Sequence, residues 1–134
     1  MKIEWYSIND DLSIVRHPPV NLETALALAD HYMSRANESF ENGEEAVAAT
    51  MFGFSRSENE FIEIVVNGSD LISYTYEAPD PETPALLKFL KGRFQYQEDL
   101  ATLADLKERI RAFFELVSIQ LLDLHKELKN GRGR

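Results

Sequence analysis

A chain of 134 residues with 44% hydrophobic and 28% charged residues has the length and composition of one globular domain, which excludes disorder as its default state. Its 14 Lys plus Arg against 23 Asp plus Glu give a formal net charge of −9, which argues against nucleic acid and anionic membrane surfaces as partners, since both demand a basic footprint. Zero cysteines exclude disulfides, thiol nucleophiles, thiolate zinc sites and iron–sulfur clusters.

The first six residues, Met1-Lys2-Ile3-Glu4-Trp5-Tyr6, lack the basic and apolar regions of a signal peptide. The most apolar stretch, residues 112–124, is interrupted by Glu115, Gln120 and Asp123 and is too short to span about 30 Å of hydrocarbon. A soluble, cytoplasmic protein is the expectation. Charge is unevenly distributed: residues 1–86 hold sixteen acidic and four basic side chains, net −12, whereas residues 87–134 hold seven acidic and ten basic, net +3. No linker, repeat or low-complexity segment divides the chain. The expected organisation is one domain over residues 1–130 with a flexible basic tail at 131–134.

Alternating apolar residues around the turn Asn9-Asp10-Asp11 predict a hairpin over residues 2–16. His17-Pro18-Pro19 is expected to end it, because proline donates no hydrogen bond and restricts its predecessor. Asn21 is a candidate N-cap for a helix over residues 22–37, where Leu22, Ala25, Leu26, Ala29, Tyr32, Met33 and Ala36 form one stripe. Strands follow at 46–54, 61–66 and 71–77, the last two separated by Asn67-Gly68-Ser69-Asp70. Keeping Ile62, Ile64 and Val66 on one face with Ile72, Tyr74 and Tyr76 requires an odd loop such as Asn67-Gly68-Ser69, or a bulge, either of which pairs Ile64 with Ile72 and Ile62 with Tyr74; the odd loop is the expectation. Thr83-Pro84 and Gly92 bracket a short helix at 85–91, and residues 94–100 read as an edge strand.

From the N-cap candidate Thr102 the period is helical. Leu103, Leu106, Ile110, Phe113, Phe114, Val117, Leu121, Leu124 and Leu128 fall within about 100° of arc on a 3.6-residue wheel, predicting one long helix that ends near Asn130-Gly131. The fold class is therefore α+β: an antiparallel sheet of about five to six strands, packed on one face by an N-terminal-half helix and a long C-terminal helix.

Catalytic motifs are missing: no phosphate-cradling glycine loop, no H-E-x-x-H, no G-x-S-x-G. His17, His31 and His125 share no ligand spacing. His17 reads as loop, His31 as a surface or boundary histidine, and His125 as a helix-end imidazole favoured when protonated. Adjacent acids in turns are solvated rather than catalytic. No enzyme activity, metal or cofactor is expected.

Two features point to association. Glu63 stands with Phe61, Val65, Ser73 and Thr75 on the second face of the sheet, available if helices cover only the first. Leu116, Ile119 and Leu122 depart from the main helical stripe and form a candidate homodimer seam. The composition favours a non-enzymatic, acidic protein-binding module, in its most concrete form an immunity-type inhibitor that neutralises a basic toxin domain. Its partner-binding candidates are Asp10, Asp11, Glu41, Glu44, Glu45 and Glu63. The alternatives are a dimeric secretion-chaperone-like protein paired through the C-terminal helix, or a small ligand-binding domain.

Overall fold

The first two strands, β1 (Glu4–Ile8) and β2 (Ile14–Pro19), form an antiparallel hairpin. Asp11 closes its turn: the carboxylate accepts hydrogen bonds from the Ser13 N–H at 3.0 Å and the Ser13 hydroxyl at 2.6 Å. Those two bonds hold the Asp11 carboxyl below its ordinary range. The structure, a computed structural model, describes residues 2–9, 11, 13–41, 50–57, 59–68, 71–80 and 92–131, with backbone alone at 39–41 and 68.

Contrary to expectation, β2 runs through His17 and both prolines. It is the outermost strand, and there a residue without an N–H can face outward at no cost to the ladder. His17 is likewise not loop: its ring stacks on Trp5 at 3.8 Å and its Nε2 lies 2.8 Å from the Ser7 hydroxyl.

Asn21 caps helix α1 (Leu22–Glu41), its side-chain oxygen accepting the Thr24 N–H at 2.8 Å. The helix runs a full turn past residue 37, and its predicted stripe faces the sheet, with Ala25, Ala29 and Ala36 fully buried. These small residues let the helix lie close, so that Tyr32 stacks on Phe52 at 4.5 Å.

Strands β3 (Met51–Ser57), β4 (Glu60–Gly68), β5 (Leu71–Pro79) and β6 (Arg93–Leu100) complete a six-stranded antiparallel sheet in the order β2-β1-β3-β4-β5-β6. Residues 46–49, at the start of the expected third strand, lie outside the described residues, as does the expected helix at 85–91. Gly92 adopts a positive φ of 61°, a backbone region that glycine enters without strain. The β4–β5 hairpin keeps the expected faces together through a bulge between Val66 and Gly68 rather than the expected odd loop; Ile64 pairs with Tyr74 rather than Ile72, and Ile62 with Tyr76 rather than Tyr74. The bulge conserves the parity and displaces the register by two residues.

The single long C-terminal helix is instead two, α2 (Leu103–Glu115) and α3 (Ser118–Gly131), separated by Leu116 in an extended conformation (φ −89°, ψ 147°). Thr102 caps α2 by accepting the Asp105 N–H at 3.1 Å. Gln120 opens α3, its side-chain oxygen taking the Val117 N–H at 3.3 Å, half of a capping box. The break rotates the apolar frame. Val117, inside the predicted stripe, is 54% exposed, whereas Leu122, on the opposite side of the wheel, is 4% exposed.

Arg56 of β3 explains how the break is held. Its guanidinium donates to the carbonyls of Phe113 and Leu116, two acceptors left over at the end of α2, and to the Ser118 hydroxyl at 3.3 Å. All three described helices pack on the sheet face that carries Phe52, Phe54, Ile62, Ile64, Tyr74, Tyr76 and Tyr96. No described helix is long and apolar enough to cross a membrane.

Candidate functional site

Because side chains alternate along a strand, the residues between those core positions share the opposite face of the sheet. The register aligns one row across all six strands: Arg16, Tyr6, Gly53, Glu63, Thr75 and Gln97. A neighbouring row runs Glu4, Ser55, Phe61, Glu77 and Gln95. No described helix covers these rows, and Phe61, Glu63, Thr75 and Glu77 are only half-buried.

Gly53 organises the centre. A Cβ there would come within 2.2 Å of Tyr6 Cζ and 2.5 Å of the Ile62 carbonyl oxygen, so the Tyr6 ring lies in space that only glycine leaves open. Its hydroxyl crosses to β4 and donates to the Ile62 carbonyl at 3.1 Å. Burial first, then the nearby Glu63 and Glu77 carboxylates, push the Tyr6 phenol far above its ordinary range, so it stays a donor.

A depression of about 190 Å³ is lined by Glu63, Glu4, Arg16 and the 63%-exposed Ile14, with Tyr6 and Phe61, beside Trp5, among its aromatic residues. Glu63 has no hydrogen bond or ion pair to any described residue. Burial and repulsion from Glu77 raise its carboxyl above the ordinary carboxylate range. Glu77, by contrast, is engaged: Arg93 Nε donates to it at 3.1 Å, and Arg93 Nη2 donates to the Asn59 carbonyl at 2.7 Å.

On the helix side the buried polar groups serve one another. Glu60 accepts from the Tyr76 hydroxyl at 2.9 Å and the Ser118 hydroxyl at 2.7 Å, with Arg56 at 3.8 Å. Glu98 accepts from Arg109 Nε at 2.7 Å. His125 is fully buried and stacked on Tyr76 at 3.9 Å. A carbonyl can only accept, so the 2.8 Å contact of Nδ1 with the Leu121 carbonyl places the proton on Nδ1, and Nε2 accepts the Tyr74 hydroxyl at 2.8 Å. Burial lowers the His125 pKa to about 4. This corrects the helix-end reading: the imidazole is neutral and belongs to the core, not a protonated group complementing the end of α3. Among the described residues no three His, Asp or Glu side chains converge as metal ligands would.

Of the acidic residues singled out in the sequence, Glu63 lies on the open face and Asp11 in the β1–β2 turn, with β3 between that hairpin and the strand of Glu63. Asp10, Glu44 and Glu45 lie outside the described residues, as does the side chain of Glu41. Of the suggested seam, Leu122 is buried against the core, Leu116 is half-buried and Ile119 is 56% exposed. Phe61 is expected on this face beside Glu63, whereas Tyr6 and Glu77 carry no such expectation. Their grouping depends on the pairing of β1 with β3, more than forty residues apart in sequence; Gly53 inside a strand was its one local signal.

Comparison with protein-family models, curated proteins and solved structures found no match to this chain.

Proposed function

We propose that this chain is a non-enzymatic protein-binding module that docks a basic partner on the open face of its sheet, in its most concrete form an immunity-type inhibitor of a basic toxin domain. The observation that carries this reading is Glu63, a half-buried carboxylate in the middle of a sheet face that no described helix covers, with no ion pair to a described residue. Holding such a charge unpaired is unfavourable in the free protein, and a partner's cation relieves that penalty on docking. The surrounding charge favours the same partner. A net charge of −9 accelerates encounter with a basic surface and repels acidic ones. Aromatic surface next to polar groups, as Tyr6 and Phe61 provide, is the composition found at the centres of protein interfaces.

The test is affinity capture with two baits, the native chain and a chain carrying Glu63→Arg with Glu77→Arg. The expected result is a basic protein held one-to-one by the native bait, absent from the charge-reversed bait and released by salt. Equal retention on both baits, or retention of acidic proteins, would overturn the reading.

A further inference from the structure

Resting on that docking reading, we propose that the depression beside Glu63 is the seat of one arginine side chain of the basic partner. Size is the first argument. At about 190 Å³ the depression is smaller than the roughly 300–1,000 Å³ clefts that enclose small-molecule ligands, and suits a single side chain entering from a protein surface.

The lining then selects the side chain. Glu63 supplies a carboxylate with no partner among the described residues and Glu4 a second one, matching a cation that donates several hydrogen bonds. The same lining holds Tyr6, whose ring lies over Gly53, and Phe61, which is paired with Ser55. A planar guanidinium stacks on such surfaces and still donates at its edges, which an ammonium cannot do, so arginine fits better than lysine. The Ser55 hydroxyl in the same lining is a further acceptor.

Arg16 fixes the direction of approach. It sits at the far end of the row from Glu63, three strands away, or roughly 14 Å at ordinary strand spacing. Its charge disfavours a cation at the β2 end of the depression and leaves the Glu63 end as the favourable one. Glu77, diagonal to Glu63 across β4 and β5, adds to the negative potential there even though Arg93 partly offsets it.

The experiment is an NMR titration of the full chain with N-acetyl-arginine amide, with N-acetyl-citrulline amide as the neutral isostere. Saturable shifts are expected at residues 4–6, 53–57 and 61–63 with the arginine compound alone. Glu63→Gln should weaken binding about ten-fold, the size of one charge-assisted contact, and Arg16→Ala should leave it equal or tighter. Equal response to citrulline, native affinity in Glu63→Gln, or shifts spread over the acidic surface in general would overturn the assignment. Failure of the docking reading is distinguishable. If the arginine compound gives no local response while charge reversal at Glu63 and Glu77 still abolishes partner capture, only the arginine seat falls. If charge reversal leaves capture intact, the docking face itself falls.

Discussion

The ring of Tyr6 occupies the space that the missing side chain of Gly53 leaves on the neighbouring strand, and its hydroxyl reaches past that strand to the Ile62 carbonyl at 3.1 Å. One tyrosine thereby links β1, β3 and β4 across the open face. Gly53→Ala should be destabilising by about 2–3 kcal/mol, as overpacking of a filled site is. The new methyl meets a backbone carbonyl as well as a movable ring, so rotating Tyr6 away does not relieve it. Tyr6→Phe, which loses only the hydrogen bond, should cost about 1 kcal/mol. Urea denaturation of the two variants checks the order.

His125 makes stability pH-dependent. Its folded pKa of about 4 lies below the ordinary 6.5, so the unfolded chain takes up a proton that the folded chain refuses. The contribution is complete above pH 6.5 and is lost as pH falls toward 4, amounting to about 3 kcal/mol at most. Glu63 acts in the opposite sense: its raised carboxyl makes the folded state bind a proton first, so stability falls as pH rises out of the carboxylate range. Unfolding midpoints from pH 4 to 7 should therefore rise for the native chain and rise less for His125→Phe. In Glu63→Gln the rise should steepen, and the variant should be more stable than the native chain at pH 7.

The break between α2 and α3 rests on Arg56. Replacing it with Met leaves the Phe113 and Leu116 carbonyls without their donor and Glu60 without its cation. The expected cost is about 3–5 kcal/mol, the usual consequence of removing one member of a buried pair. Adding Glu60→Gln to Arg56→Met should cost less than the two single changes summed, because the groups share one network. Chemical denaturation of the full mutant cycle checks this.

The rotated helical frame separates two leucine-like residues that the wheel alone treats alike. Leu122→Ala should cost about 2–5 kcal/mol, as a buried leucine does, whereas Ile119→Ser should stay within about 0.5 kcal/mol. Thermal unfolding of both variants distinguishes a two-helix arrangement from one continuous helix, in which both residues would lie off the buried stripe.

What was legible in the sequence was local. Asn21 and Thr102 announced helix starts because capping is a contact between residues three apart, and the face parity of β4 and β5 followed from alternation alone. The α2–α3 break was not legible, since the apolar stripe continues from Phe113 and Phe114 through Val117 to Leu121 while the group that satisfies the open carbonyls, Arg56, lies about sixty residues earlier. The same holds for the candidate site. Glu63 was visible as a lone acid on a strand, but its setting between Tyr6, Phe61 and Glu77 depends on strand order, which no local pattern encodes. His125 was misread for a related reason: its place near a helix end suggested a charged imidazole, and the Tyr74 and Tyr76 rings that bury it arrive from the sheet.

Docking through the open face is tested most directly by amide hydrogen exchange of the complex with the captured basic partner. Slower exchange in β1, β3 and β4 around Tyr6, Gly53 and Glu63, with α1, α2 and α3 unchanged, is the predicted result. Protection confined to the helices, with those strands exchanging as in the free chain, would contradict it.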